Sequence, residues 1–419
     1  MSDNHTKKVI VVGGGAAGMM AAITAAGRGA KTVLLEKNEK LGKKLYITGK
    51  GRCNLANYCD SRTFLKNVVS NQKFLYSAIS RFDPYSTVAL FNELGLETKT
   101  ERGNRVFPVS DHASDVTKVL EKAARKAGVK IELNCAVTDI VTEQGCFKAV
   151  RTADGREIYA DACIIATGGL SYPSTGSTGD GYDFALKAGH TVTKCVPSLV
   201  GLKTKETFVQ EMEGLSLKNI RLDVYLNGKK KYSDQGEMLF THNGVSGPLV
   251  LTASAMFARD LAEGADVKLF IDLKPALEPD VLDERLIREF SETSNKELKN
   301  ALKALIPSSM ILVFIRMTGI SGERKVNSIT APERKKIRNL LKAFELNVLG
   351  AGGFNEAVVT QGGVKVSEID PKTMASKLVK NLYFAGEVID VDAFTGGFNL
   401  QIAWSTGVAA ATGILASME

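Results

Sequence analysis

The chain has 419 residues, 44% of them hydrophobic and 24% charged, with 54 Lys and Arg against 46 Asp and Glu for a formal net charge of +8. This length and apolar fraction support large cores divided among two or three domains, and exclude a disordered or fibrous chain. No apolar run approaches the roughly 18 residues of a membrane span, and Cys53, Cys59, Cys135, Cys146, Cys163 and Cys195 lack CxxC spacing, which argues against a disulfide framework and a zinc site.

The N-terminus, MSDNHTKK, enters the first strand without a secretory apolar region, so a cytoplasmic protein is expected. From residue 9 an apolar strand, VIVV, runs into Gly13-x-Gly15-x-x-Gly18, a helix of small residues, and a second strand ending at Glu36. In a βαβ unit these glycines permit a tight turn, close approach of the backbone to a pyrophosphate, and close helix–strand packing. The helix start, with its free N–H groups and positive dipole end, favours an anion. Glu36 stands about 20 residues on, where an acid accepts from a ribose 2′-OH and repels the 2′-phosphate of NADP. The expected nucleotide is therefore FAD or NAD.

Strand and helix signals alternate to about residue 190 and include an apolar strand at 162–166 that ends in Thr167-Gly168-Gly169. From 191 the texture changes to short apolar segments between glycine and asparagine turns, such as 221–226 and 266–273, which predict antiparallel β structure. Ser294-x-x-Glu297 and Thr330-x-x-Glu333 have the spacing of capping boxes, each opening a leucine-bearing helix. Near 354 the strand pattern returns, and 381–388 (NLYFAGEV) predicts a parallel strand ending in a glycine and an acid. The expected division is a nucleotide domain of 1–191 and 354–419, an inserted β-rich substrate-side domain of 192–275 and 341–353, and a helical subdomain of 276–340.

The positive charge is diffuse. Its densest pieces are Lys229 to Lys231, beside Gly228 at an expected hairpin turn, and Arg334, Lys335, Lys336 and Arg338 on an expected helix. Neither is interleaved with aromatics, so solvated faces are expected rather than a nucleic-acid interface.

Two further glycine-bearing strand ends choose FAD over NAD, because ligands of open α/β sheets lie outside the carboxyl ends of strands and FAD is long enough to need several such contacts. One is Ala166-Thr167-Gly168-Gly169. The other is Phe384-Ala385-Gly386-Glu387, followed by Thr395-Gly396-Gly397-Phe398-Asn399 and an alanine-rich helix through Ala411. A helix starting beside Gly397 would point its N-terminus at the flavin pyrimidine edge, where reduction places negative charge.

Residues 41–57 (LGKKLYITGKGRCNLAN), 103–110 (GNRVFPVS), 166–190, 238–248 (MLFTHNGVSGP), 359–364 (VTQGGV) and 382–407 together make a recognisable pattern. Over nearly the whole chain it resembles the BaiN-type, or aminoacetone oxidase-like, family of NAD(P)/FAD-dependent oxidoreductases. The resemblance implies an α/β fold: a Rossmann-like, glutathione reductase-like FAD domain interrupted by a β-rich and a small helical domain. It implies that Gly13, Gly15, Gly18 and Glu36 hold the ADP half, with Lys37 and the loop from Lys43 and Lys44 through Gly51, Arg52, Cys53 and Asn54 along the pyrophosphate and flavin. Gly168, Gly386, Glu387, Asn399 and Leu400 are implied as further contacts, and the expected set also takes in Ala16, Ala17, Ala136, Val137, Thr167, Gly169, Gly397 and Gln401. Lys50 departs from the Gly or Asn common in relatives and adds a cation near the nucleotide or its approach.

Arg52 has two expected roles, a guanidinium near phosphate or flavin oxygens and a brace for its own loop through carbonyls. Cys53 is read as a small packing residue, since disulfide reductases of the flavin class use C-x4-C and here five residues separate Cys53 from Cys59. No histidine occurs in 41–57, so noncovalent FAD is expected. His242, Tyr172 and Arg105 are the candidates on the substrate side of the flavin, His242 as proton donor because its unperturbed pKa lies near neutrality.

The leading expectation is a flavin oxidoreductase reducing a polarised C=C bond in a small or sterol-like substrate, with NAD(P)H as a transient electron donor. No second complete GxGxxG exists, because Gly350-Ala351-Gly352-Gly353-Phe354-Asn355 fails at its last position. The alternatives are an oxygen-using amine oxidase of the aminoacetone type, an RNA-associated flavoprotein, and a flavin-bearing binding protein without turnover. No metal is expected, and neither membrane nor nucleic acid is the favoured partner.

Overall fold

The structure, a computed structural model, describes residues 6–416, so the first five residues, on which part of the N-terminal reading rests, lie outside it. Contacts divide the chain into two units, one of residues 1–198 and 354–419 and the other of 199–353.

In the first unit, β1 (Lys8–Val12) is buried after its first residue, as a Val/Ile run with parallel neighbours on both sides must be. The helix Ala16–Gly27 follows, then β2 (Lys31–Leu35), a short helix Lys43–Ile47, and the strands β3 (Ala56–Asn57), β4 (Thr98–Glu101) and β5 (Arg105–Pro108). Next come β6 (Lys130–Glu132), β7 (Val137–Glu143), β8 (Cys146–Thr152), β9 (Glu157–Tyr159), β10 (Ala162–Ile165) and β11 (Val196–Ser198). After the insertion the chain returns with β18 (Val359–Gln361), β19 (Leu382–Phe384) and the helix Phe398–Ala416. The main sheet has the order β19-β10-β1-β2-β6, parallel throughout. Small antiparallel sheets β3-β5-β4 and β7-β8-β9 are added to it.

The sheet's carboxyl ends are crowded by two helices that touch backbone to backbone. A Cβ at Gly407 of the terminal helix would lie 2.6 Å from the Ala17 carbonyl oxygen, so only glycine permits that approach. Trp404 on the same helix is fully buried; its indole N–H donates to the Leu55 carbonyl at 3.0 Å and its ring meets Phe91 edge-on at 5.5 Å.

The second unit is built on a closed antiparallel barrel, β12-β15-β14-β13-β16-β17, formed by β12 (Leu202–Thr204), β13 (Ser216–Leu226), β14 (Lys229–Thr241), β15 (Gly244–Ser246), β16 (Val267–Asp272) and β17 (Phe344–Ala351). Asn227 and Gly228 join β13 to β14 with φ of 48° and 76°, the two positive values that a two-residue turn matching strand twist requires. The helices Pro279–Glu292, Ile311–Thr318 and Ala331–Lys342 share one apolar core with the barrel instead of closing a separate one.

Two expectations are corrected. Residues 196–198 stay with the first unit because β11 pairs antiparallel with β18, which carries the boundary past 191. Ser294 opens no capping box: Glu297 is itself the N-cap of the short helix Leu298–Ala301, and its carboxylate is taken by Lys299 and Asn300. Thr330 and Glu333 do form the reciprocal box, and Arg324 with these two bonds holds the Glu333 carboxyl down at about 2. Gly350 and Ala351 lie in β17 and pair with β12, so that glycine run is barrel strand and not a nucleotide turn.

Candidate functional site

The turn between β1 and its helix is made from four glycines with different duties. Gly13, at φ 102°, donates to the Leu35 carbonyl, and a Cβ there would lie 2.5 Å from the Ala166 oxygen. At Gly18 a Cβ would overlap the Gly13 carbonyl, and at Gly14 the Leu41 side chain. Gly15 differs: it is the N-cap, no side chain caps it, and a Cβ there would meet no atom within 4 Å. The protein therefore leaves room in front of a helix start whose N-cap carries no side-chain hydrogen bond.

Glu36 closes this turn. It is 7% exposed and accepts from Gly14 N at 2.7 Å and from Asn38 N and Nδ2 at 2.8 and 2.6 Å. These fill three of the carboxylate's about four acceptor positions and leave room for one more donor.

The three expected lysines are all held. Lys37 donates to Thr178 at 2.5 Å and Asp180 at 2.6 Å, Lys43 to Glu39 at 2.9 Å, and Lys44 to both Ser171 and Glu387 at 2.7 Å. Glu387 also accepts from Ser171 Oγ at 2.9 Å and Thr360 N at 2.8 Å, while Thr360 Oγ1 accepts from Leu170 N and Ser171 N. Ser171, Thr360 and Asn38 were not among the expected residues. No spacing in the chain links 171, 360 and 387; only the pairing of β11 with β18 and β10 with β19 does.

In the loop after Lys44, Gly49, Lys50, Gly51 and Cys53 all have positive φ. Arg52 resolves to a brace, acting through carboxylates rather than the expected carbonyls: it pairs with Glu101 and Asp111 and lies 4.0 Å above the Phe107 ring. Cys53 is fully buried and its thiol is pushed up to about 12 by that burial, while Cys59 is pushed up to about 11 for the same reason. Neither thiol is disposed to form a thiolate at neutral pH.

Ala136 and Val137 line a cleft of about 530 Å³ with Asp180, Phe184 and Lys187. Gly168, at φ 78°, and Gly169 lie against Ser177 and Thr360. At the far strand end Gly386 donates to Thr406. Gly396 and Gly397, at φ 120° and 98°, precede the terminal helix, and a Cβ at Gly397 would overlap Ala56. Asn399 pins the preceding turn by exchanging hydrogen bonds with Ala393 at 2.9 and 2.7 Å, and Leu400 is half-buried beside it. Gln401 is fully buried and directs its amide to Phe82 and Ser405, turned into the core. Asn54 Oδ1 and Thr167 Oγ1 are buried without a hydrogen-bond partner. The free space at Gly15, the remaining position on Glu36 and these two orphaned oxygens fit a nucleotide that brings anionic and hydroxyl groups.

Tyr172 is half-buried at φ 53° with its N–H on the Phe354 carbonyl. Arg105 is exposed on β5. His242 belongs to the second unit, where its side chain is 63% exposed and Nδ1 lies 2.9 Å from Glu213.

The family model described as HI0933-like protein Rossmann domain matches residues 7–413. The chain belongs to the HI0933-like family. It is similar to a 3-dehydro-bile acid delta(4,6)-reductase of Clostridium scindens, 32% identical over 93% of this chain and 94% of the relative. A ribosomal RNA dihydrouridine synthase of Haemophilus influenzae is 31% identical over 94% of this chain and 95% of that protein. Among solved structures, a 3-ketosteroid delta1-dehydrogenase from Sterolibacterium denitrificans matches with a TM-score of 0.53 at 14% identity, over 99% of this chain and all of the other, a likeness of fold. HI0933-like membership sets the chain among Rossmann-fold flavoprotein oxidoreductases, as the sequence pattern led one to expect. Among the described residues no helix is long and apolar enough to cross a membrane, and no group of three or more His, Cys, Asp or Glu is arranged to hold a metal.

Proposed function

We propose that this protein is an FAD-dependent reductase that saturates a C=C bond conjugated to a carbonyl. The observation that carries the reading is the glycine-built opening at Gly15, with Glu36 fixed behind it, in a chain similar to two reductases that share one chemistry. A 3-dehydro bile acid with a delta(4,6) system and a uridine converted to dihydrouridine both lose a double bond polarised by a carbonyl. Different substrates with one bond type argue for the reaction class before the substrate.

Bound flavin would supply hydride chemistry at N5. The helix start at Ala16 and Ala17 binds the pyrophosphate, and Glu36 accepts from the ribose. The first turn of the terminal helix, opened by Gly396 and Gly397, presents backbone N–H groups toward the charge of the reduced ring. Lys44 is held by Glu387 and Ser171 along the same edge. The cofactor is held noncovalently, since Cys53 is packed away and residues 41–57 contain no histidine. Electrons come from a nicotinamide that docks and leaves, and Tyr172 is the proton-donor candidate within the nucleotide unit.

One reading of the substrate is a sterol-like enone. The other, a uracil within RNA, is favoured by the Haemophilus relative and by the exposed Lys229, Lys230 and Lys231 beside the β13–β14 turn. Anaerobic titration of the FAD-loaded protein with NADH and NADPH tests the reaction class, followed by addition of a 3-oxo-Δ4 steroid or a uridine-containing RNA. Bleaching of the visible flavin band by a nicotinamide and its recovery on adding either acceptor is the expected result. Bleaching by a primary amine alone, with recovery only in air, would replace it by the amine oxidase.

A further inference from the structure

The small sheet β3-β5-β4 presents one face carrying Asn57, Arg105, Phe107, Glu101 and Lys99, which stand opposite one another across the strands. Its charges are unevenly matched. Arg52 and Lys99 are neutralised by Glu101 and Asp111. Arg105 is not: its Nε donates to the Arg102 carbonyl at 3.1 Å, and among the described residues no carboxylate pairs with Arg105 or with the exposed Arg102. Arg102 opens and Arg105 follows the three-residue turn 102–104, in which Gly103 and Asn104 have φ of 77° and 58°.

That turn is tied to the candidate site by one side chain. Asn57 Nδ2 donates to the Gly103 carbonyl at 3.0 Å and to the Gly396 carbonyl at 3.1 Å, and the Asn104 carbonyl accepts from Tyr58 N at 2.6 Å. Gly396 is two residues before the terminal helix begins. The turn that carries both arginines is thus tied through the Asn57 amide to the helix start expected to face the flavin. The acids close by are taken by Arg52 and Lys99, and Arg105 is held by the turn carbonyl and by the Phe107 ring, 5.9 Å away, neither of which cancels its charge.

We propose that Arg102 and Arg105 form an oxyanion-binding subsite that anchors a carboxylate or phosphate of the substrate while its unsaturated ring lies toward the terminal helix. This rests on the reading that the flavin ring binds at that helix start. Arg105 is a positioning residue, remote from the bond that is reduced. The same chemistry serves the side-chain carboxylate of a steroid acid and the backbone of an RNA, and separate probes tell these apart.

The test uses FAD-loaded wild-type, R102A/R105A and R105K proteins, titrated by the perturbation of the flavin spectrum. The probes are a 3-oxo-Δ4 steroid with a side-chain carboxylate, its methyl ester, and a uridine-containing RNA hexamer. Loss of charge-assisted hydrogen bonds predicts that the double variant weakens the anionic probe that binds by roughly 10- to 100-fold. The ester stays within about twofold of its wild-type affinity, R105K falls between, and in turnover KM rises while kcat holds. Wild-type binding of neither anion overturns the subsite, as does a double variant that leaves the anion's affinity unchanged or weakens the ester equally. If the arginines govern anion binding but neither enone nor uracil is ever reduced, the subsite stands and the reductase reading falls.

Discussion

The Glu36 carboxylate accepts the backbone N–H of Gly14 at 2.7 Å, so the acid that ends β2 and the glycine turn that ends β1 are one rigid piece. Replacing Glu36 with Gln removes the charge and puts an N–H₂ where Gly14 or Asn38 now donates, leaving one of those donors unsatisfied. The expected outcome is FAD affinity weakened by about 10- to 100-fold, the equivalent of roughly 1.5–3 kcal/mol for a charged hydrogen-bond site. Fluorescence titration of the apoprotein with FAD measures it; unchanged affinity would remove Glu36 from the nucleotide site.

Gly15 and Gly18 separate a binding duty from a folding duty. An alanine methyl at Gly15 meets no protein atom and the backbone there, at φ −80°, accepts it, so Gly15→Ala should shift apoprotein stability by no more than about 1 kcal/mol, the scale of an N-cap change. It would nonetheless fill the space in front of the helix start and block FAD. Gly18→Ala forces overlap with the Gly13 carbonyl and should unfold or strongly destabilise the protein with or without FAD. Urea denaturation of both apoproteins beside FAD titration separates the two; equal stability loss would mean Gly15 is structural.

These glycines were legible because the strand, turn and helix they join are consecutive. So were the two-residue Asn227-Gly228 turn and the terminal helix after Gly397, each announced by residues next to it. The partners of Lys44 and Arg52 were not, because Glu387 lies 343 residues from Lys44 and Glu101 49 from Arg52, brought near only when sheets form. Barrel closure was hidden in the same way: β12 pairs with both β15 and β17, and nothing local to 202–204 specifies either partner. Ser294-x-x-Glu297 misled because a capping box needs the chain to enter a helix at the serine, and here it enters at Glu297.

Trp404 joins the terminal helix to the segment before β3. Cutting it to Ala removes a fully buried ring and its hydrogen bond to Leu55, a change that costs about 3–5 kcal/mol in a packed core. Because the helix begins at Phe398, the same variant should also loosen the flavin end of the site, seen as faster FAD release on dilution. Trp404→Phe should recover most of the packing but leave the Leu55 carbonyl without its donor, for a loss nearer 1–2 kcal/mol. Equal losses for the two variants would show that the ring's volume contributes little.

His190 makes stability depend on pH. It is buried, with Nε2 2.8 Å from Ser376 Oγ and Nδ1 3.3 Å from Glu368, and Phe384 packs on its ring. Ser376 Oγ already accepts from Leu378 N and Val379 N, so its own proton goes to Nε2 and the imidazole proton faces Glu368. A second proton on the ring would meet a serine oxygen with no acceptor position left. Burial accordingly lowers the His190 pKa below 6.5, against the opposing pull of Glu368. A depressed histidine binds fewer protons folded than unfolded, so its stabilisation is full above about pH 6.5 and is lost as pH falls from there toward the folded value. Glu368, held below its usual range mainly by its bonds to Thr191, adds a loss that begins only below about pH 4.5. Urea midpoints of the wild-type protein should therefore drop between pH 7.5 and 5.5, while His190→Gln, less stable at pH 7.5, shows a flatter profile across that window. An equally steep profile in the variant would assign the pH dependence to other groups.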